Sequence, residues 1–259
     1  MRSLWFCVPV YGRLQLAAIC LKQLRRTCDT LNTNGIAASA VIVIDREEFG
    51  PLRRLIGSNL GFGHVLRDNQ YLGRKFNDSI QLATDPKYNP HPVDYVVPCG
   101  SDDWVDHRLF LEPLPGPDTV VGFQRMSFVR EDGAEISTTH IRYQGGSGIR
   151  IIPRQLLEGL GYRPADEDRR SGCDTSILTN LRVHHRDHLR VSHQHLHDRQ
   201  IVDWKTPHIQ LNSYMNVTRL YAVGNGPDPF VELAGVYPDE ALEEMHHYYA
   251  TARAQTVAA

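Results

Sequence analysis

Cysteine is sparse and unpatterned. The five, Cys7, Cys20, Cys28, Cys99 and Cys173, are odd in number and form no Cys-x-x-Cys pair, which argues against a disulfide framework and against a thiolate zinc site. They read as reduced thiols. Long hydrophobic runs are missing as well. No segment approaches the roughly 20 apolar residues of a membrane span, and the apolar stretch 4–10 is too short for a secretory signal and runs directly into Tyr11-Gly12-Arg13. A cytoplasmic protein with no membrane partner is expected. Charge of one sign is also lacking: 28 Lys and Arg stand against 30 Asp and Glu, a formal net charge of −2. No global field therefore draws in nucleic acid or an anionic membrane, and any such contact needs a local patch. What is there is the composition of a globular domain, 41% apolar and 22% charged over 259 residues, without an internal repeat.

Residues 4–10 are continuously apolar, as in a strand buried on both faces of a parallel sheet. Leu14, Ala17, Ala18, Leu21 and Leu24 then recur at helical spacing, with Arg25 and Arg26 in the last turn, where cations complement the helix dipole. A strand over 40–44 closed by Asp45, a short helix over 52–60 ended by Gly61, a strand over 64–66, a helix over 72–83 and a strand over 93–98 continue the alternation. Such β-α repetition predicts a parallel sheet with ligands at the carboxyl ends of its strands, where Pro9, Asp45 and Asp102 lie. The second half is less regular, with strands over 119–123, 128–130, 135–143 and 149–152, a helix over 153–160, another beginning near Asp174, and a terminal helix over 238–253. The whole predicts one α/β domain with a mixed sheet flanked by helices.

Asp94-Tyr95-Val96-Val97-Pro98-Cys99-Gly100-Ser101-Asp102-Asp103-Trp104 is a buried strand that delivers two adjacent carboxylates into a loop. Carboxylate oxygens are hard ligands suited to Mg²⁺ or Mn²⁺, which bridge and neutralise a diphosphate leaving group. Ser-Asp-Asp is equally good material for a turn or a helix cap.

Val8-Pro9-Val10-Tyr11-Gly12-Arg13, Asp45 after the second strand, Leu72-Gly73-Arg74-Lys75-Phe76-Asn77-Asp78-Ser79-Ile80 and Gly100-Ser101-Asp102-Asp103 resemble, in order and spacing, the nucleotide-sugar motifs of family-2 glycosyltransferases. The resemblance implies a GT-A fold, a Rossmann-like mixed sheet flanked by helices. With the resemblance covering about residues 3–181, the single domain 1–259 is expected to comprise a nucleotide-sugar-binding half over 1–104, an acceptor half over 105–237, and a C-terminal helix and tail over 238–259. It also implies that Pro9, Tyr11, Arg13 and Asp45 hold the base and ribose of a nucleotide-diphosphate sugar, a UDP-sugar being favoured. Arg74 and Asn77 would line the donor site, and Asp103 would bind Mn²⁺ or Mg²⁺ with Asp102 beside it on the donor side. Gly148-Ile149-Arg150-Ile151-Ile152-Pro153 and Gly172-Cys173-Asp174-Thr175-Ser176-Ile177 are similar to the family's acceptor region and Glu-Asp element, with Cys173 where the family usually has Glu. By that analogy Asp174 is the catalytic base that takes the proton of an acceptor hydroxyl; an N-cap for the following helix is its other reading. The chain is similar, too, to the small glycosyltransferase-like proteins of bacteriophages, some of which decorate hydroxymethylated DNA bases and others virion proteins.

His184, His185, His188, His193, His195 and His197 crowd one stretch, interleaved with Arg182, Arg186, Arg190 and Arg199. Their spacing matches no structural zinc signature and no aromatic stacking partners accompany them, so a solvated polar face competes with a phosphate-contacting one. Farther on, Lys205 is a candidate for the donor phosphate and His208 for a further metal ligand. Three rival readings stand beside a DNA-modifying transferase: a glycosyltransferase for protein or surface glycan, an inactive GT-A module that binds glycan or DNA, and a sugar-nucleotide pyrophosphorylase. The last usually opens with a glycine-rich loop containing Arg and Lys, which this chain lacks.

Overall fold

The computed structural model describes residues 2–57, 61–68, 71–111, 113–123, 125–132, 135–142, 149–186, 190–194, 208–211 and 237–257, with backbone alone for 123–142, 190–211 and 252–257 within those spans. In chain order the elements are β1 (Arg2–Pro9), α1 (Leu14–Thr33), β2 (Ile36–Asp45), α2 (Arg46–Ile56), β3 (Gly63–Arg67), α3 (Leu72–Thr84), β4 (Tyr95–Pro98), β5 (Asp103–Val105), α4 (Arg108–Leu111), β6 (Thr119–Phe123), β7 (Arg125–Asp132), β8 (Glu135–Arg142), β9 (Arg150–Pro153), α5 (Gln155–Glu158), α6 (Cys173–His185), β10 (Arg190–Gln194), β11 (His208–Leu211) and α7 (Asp239–Val257). Seven strands form one mixed sheet in the order β10-β6-β9-β4-β1-β2-β3. Strands β4, β1, β2 and β3 are parallel, and β9 runs antiparallel between β4 and β6. The mixed α/β sheet expected from the sequence is thus observed, with β5, β11, β7 and β8 forming a second, four-stranded sheet beside it.

The two-residue period of the strands sorts side chains onto two faces. Leu4, Phe6 and Val8 of β1 and Ala40, Ile42 and Ile44 of β2 join Ala17, Leu21, Leu24 and Cys28 of α1 in one core. Cys7 and Val41, of opposite parity, pack with Phe76 and Ile80 of α3 and Cys173, Ile177 and Leu181 of α6 in another. Helices therefore cover both faces, which leaves the ends of the strands as the exposed rim of the sheet. A third cluster forms where α1 turns Leu16, Ile19 and Cys20 away from the sheet, toward Trp104, Tyr237 and the α7 residues Ala241, Leu242, Met245 and Tyr249.

Some boundaries differ from expectation for identifiable reasons. The helix expected over 52–60 is α2, which starts directly after Asp45 and carries Pro51 inside it; Gly50-Pro51 looks like a breaker in sequence, but Glu47 and Glu48 in the first turn favour an earlier start. Gly57, with φ of 95°, ends it. Helix α1 continues to Thr33, so Arg25 and Arg26 lie within it instead of closing it. There Arg25 pairs with Asp29 at 3.0 Å. The helix expected over 153–160 shortens to the single turn α5.

Candidate active site

The chain leaves β1 through an abrupt turn. Gly12 has φ of 59° and Arg13, which is not a glycine, has φ of 45°. Left-handed backbone at a non-glycine residue costs on the order of 1 kcal/mol or more and persists where its surroundings hold it. Here the Gly12 amide donates to Glu48 Oε1 at 2.8 Å, and the Arg13 guanidinium donates to Asp102 Oδ2 at 3.0 Å. The ion pair joins residues 89 positions apart, bringing the Pro-Val-Tyr-Gly-Arg loop after β1 to the acidic motif after β4.

Asp102 and Asp103 are both buried, at 7% and 8% exposure. Gly100 donates its amide hydrogen to Asp103 Oδ2 at 2.6 Å, so the turn before the pair grips the second carboxylate, and Asp103 itself opens β5 instead of lying in a loop. Burial pushes the Asp102 carboxyl above its ordinary value of 3.8, the Asp103 charge adds to this, and Arg13 opposes both. Two like charges removed from water are held together because a cation stands beside them. Trp104, the next residue, is fully buried with its ring 4.9 Å from that of Tyr237, and Thr27 of α1 donates to the Val105 carbonyl at 2.7 Å. The acidic pair is thus backed by packed structure.

Asp45 ends β2 at the same rim, in the N-cap position of α2. Its Oδ1 lies 2.9 Å from the ammonium of Lys75, a residue only 1% exposed. Lys75 Nζ also donates to the Val10 carbonyl at 2.9 Å and lies 5.2 Å from the centroid of the Tyr11 ring. Tyr11 is 58% exposed. Pro9 is the last residue of β1 and pairs with Val43 of β2. Pro9, Tyr11, Arg13, Asp45, Asp102 and Asp103 are therefore gathered at adjoining strand ends. Lys75 and Glu48 join them without having been singled out in the sequence. For Lys75 a signal existed: it stands at i+3 from Leu72 and one turn before Ser79, a charged residue on the buried face of α3.

The remaining residues lie farther round. Arg74, on the other side of α3, pairs with Asp168 at 3.3 Å and Glu167 at 3.8 Å. The Asn77 amide is fully buried and bonds both ways with Ala165, donating to its carbonyl at 2.9 Å and accepting from its N–H at 2.8 Å. It pins the loop before α6. Asp174 is not the N-cap of α6; that position is Gly172, with φ of 65°. Asp174 sits in the first turn with a half-exposed carboxylate 3.8 Å from the buried guanidinium of Arg150, which also donates to the Asp174 carbonyl at 3.0 Å. Because Val96 of β4 pairs with Ile152 of antiparallel β9, Arg150 lies toward the carboxyl end of β4, and the start of α6 is tied to the rim that carries the acidic pair. His208 begins β11 opposite Val105, and Gln210 is the residue opposite Asp103. Lys205 lies outside the described residues, as do His188, His195 and His197 of the histidine-rich stretch.

Among the described residues no group of three or more His, Cys, Asp and Glu is placed to hold a metal ion. Two adjacent carboxylates nevertheless fit Mg²⁺ or Mn²⁺ in the form these ions take at phosphate-transfer sites, bound by one or two carboxylates with the rest of the coordination from diphosphate and water. Burial first and the Asp103 charge second raise Asp102, and a divalent cation held by the two carboxylates would offset both.

Neither a protein-family model nor a curated protein matches the chain. Solved structures do. The catalytic domain of Drosophila β1,4-galactosyltransferase 7, in complex with xylobiose, superposes with a TM-score of 0.49 at 11% identity, covering 76% of this chain and 66% of that one. Glycosyltransferase GlyE of Streptococcus pneumoniae gives 0.45 at 14% identity over 97% of this chain and 64% of that one. 4-Diphosphocytidyl-2C-methyl-D-erythritol synthase of Anaerococcus prevotii gives 0.44 at 11% identity over 74% and 89%. The chain spans just under two thirds of the length of both glycosyltransferases.

Proposed function

We propose that this chain is a metal-dependent GT-A glycosyltransferase, one catalytic domain that moves a sugar from a nucleotide-diphosphate sugar to an acceptor hydroxyl with inversion. The observation that carries the reading is the 3.0 Å ion pair between Arg13 and Asp102, which joins the first and last donor motifs across the ends of parallel strands. Acidic pairs at turns are common, but one bridged to the loop after β1 and flanked by Asp45 and Tyr11 stands where an open α/β sheet binds nucleotides.

In this reading Tyr11 and Asp45 hold the nucleoside, and Asp103 with Asp102 holds Mn²⁺ or Mg²⁺ against the diphosphate. An ion held there would supply neutralisation of the charge that develops on the departing phosphate. Asp174 accepts the proton of the acceptor hydroxyl as its oxygen bonds to the anomeric carbon and the bond from that carbon to the phosphate oxygen breaks, so the electron pair leaves with the nucleoside diphosphate. Arg150, buried beneath Asp174, fixes the first turn of α6 and balances its charge. The favoured donor is a UDP-sugar and the favoured acceptor a hydroxymethylated pyrimidine in DNA, of the kind bacteriophage enzymes modify; a protein or glycan hydroxyl fits the same chemistry.

The test is release of nucleoside diphosphate from a panel of nucleotide sugars with Mn²⁺, with and without hydroxymethylcytosine DNA. Metal-dependent release is expected, and Asp103→Asn is expected to lower it at least 100-fold with an unchanged melting temperature, since the amide oxygen still accepts from Gly100. Full activity in that variant sinks the assignment, pyrophosphate in place of nucleoside diphosphate marks a pyrophosphorylase, and no turnover with any donor marks a binding module.

A further inference from the structure

We propose that Lys75 is a positioning residue that sets the nucleoside end of this site, an inference that rests on the donor-site reading above. Its ammonium is buried to 1% exposure on the sheet-facing side of α3, where an apolar side chain would normally sit. Burying a cation there is costly, and replacing a buried ion pair with apolar residues of similar size is often neutral or stabilising, so stability alone does not explain a lysine.

What Lys75 touches does explain it. Its ammonium donates to the Val10 carbonyl at 2.9 Å and forms an ion pair with Asp45 Oδ1 at 2.9 Å, while the Tyr11 ring centroid lies 5.2 Å away, inside the range of about 6 Å over which a cation is drawn to a ring. Val10 and Tyr11 belong to the loop between β1 and α1, and Asp45 is the last residue of β2. One ammonium thus joins the two neighbouring segments that carry the proposed nucleoside contacts. It approaches from the protein side and leaves Tyr11 58% exposed as a surface on which a planar ring can stack. It also supplies the counter-charge beside Asp45, whose side chain is 11% exposed, so that this carboxylate is held in one orientation, ready to accept from a ligand N–H or O–H. The pocket so set favours a nucleoside that stacks on Tyr11 and donates hydrogen bonds to Asp45. Lys75 itself touches no ligand.

The experiment is calorimetric titration of the full chain with UDP in the presence of Mn²⁺, for wild type, Lys75→Met and the double variant Asp45→Asn/Lys75→Met, with thermal melts and steady-state kinetics alongside. Lys75→Met is expected to weaken UDP binding roughly tenfold or more, the loss of one oriented charged hydrogen bond, and to raise KM for the donor with kcat within about twofold, because the interaction is the same in the ground and transition states. The double variant removes the uncompensated carboxylate and is expected to melt close to wild type while still binding weakly. A purely structural lysine would give the opposite pattern: wild-type affinity in whichever variant folds, single or double, overturns the inference and leaves the donor-site reading standing. Wild type that binds no nucleoside diphosphate sinks both.

Discussion

A Cβ built on Gly100 would stand 2.7 Å from Asp102 Oδ1 and 2.8 Å from Asp103 Oδ2. Both neighbours are carboxylate ends and not backbone, so the carboxylates would give way. Gly100→Ala is therefore expected to leave stability within about 1 kcal/mol of wild type while lowering Mn²⁺ affinity by roughly tenfold or more through misplaced oxygens. Denaturant melts together with metal titration by calorimetry separate the two effects; a large loss of stability with normal metal affinity contradicts the account. In sequence the glycine is one letter of an acidic motif; its physical reason, the inward curl of two acidic side chains over its own Cα, is visible only in the folded chain.

At the scale of elements, α3 carries two jobs on neighbouring residues. Lys75 points to the strand ends, and Asn77 grips Ala165 through two buried hydrogen bonds of 2.9 and 2.8 Å. Gly73 is similarly committed: a Cβ there would overlap the Asp166 carbonyl, so α3 and the loop before α6 lie in direct backbone contact. Asn77→Ala is expected to cost about 2 kcal/mol or more, because it leaves a buried N–H and C=O of Ala165 unpaired. Urea unfolding checks the value, and a loss under about 0.5 kcal/mol would mean the loop holds without it. The strands and helices of residues 2–98, apart from the start of α2, are readable because continuous apolar runs and 3.6-residue spacing are local signals; the three-residue β5 is too short to leave one. The pairing of Arg13 with Asp102 is not readable, since nothing in sequence reports a contact over 89 positions. Nor is the role of Asn77, where a Gly-x-x-x-Asn motif looks alike whether its amide faces a ligand or a neighbouring loop. Helix α2 begins at Arg46 instead of near Leu52, with Glu47 and Glu48 in its first turn and Pro51 inside it.

Taken as a whole, the molecule keeps its thiols inside. All five cysteines are buried, with burial pushing Cys7, Cys28 and Cys173 up to about 12, and Cys20 and Cys99 well above 9.0 with the charges of Asp102 and Asp103 adding to the rise. The thiolate is the reactive form, so at pH 8 a thiol-specific reagent is expected to leave the folded protein untouched over minutes and to titrate five groups in guanidinium; a fast-reacting thiol in the native state contradicts this burial. Among the described residues no helix is long and apolar enough to cross a membrane.

The packing behind the acidic pair carries one more consequence. Trp104, next to Asp103, rests on Tyr237 and lies in the same cluster as Met245 and Tyr249 of α7, while Lys22 and Arg26 of α1 pair with Glu244 at 3.0 and 3.8 Å. A ribosome delivers the strands of the sheet and both carboxylates before it delivers α7. In the nascent chain the acidic pair therefore emerges without the support beneath it, and that support is added only with α7, after the sheet that frames the pair has had time to form.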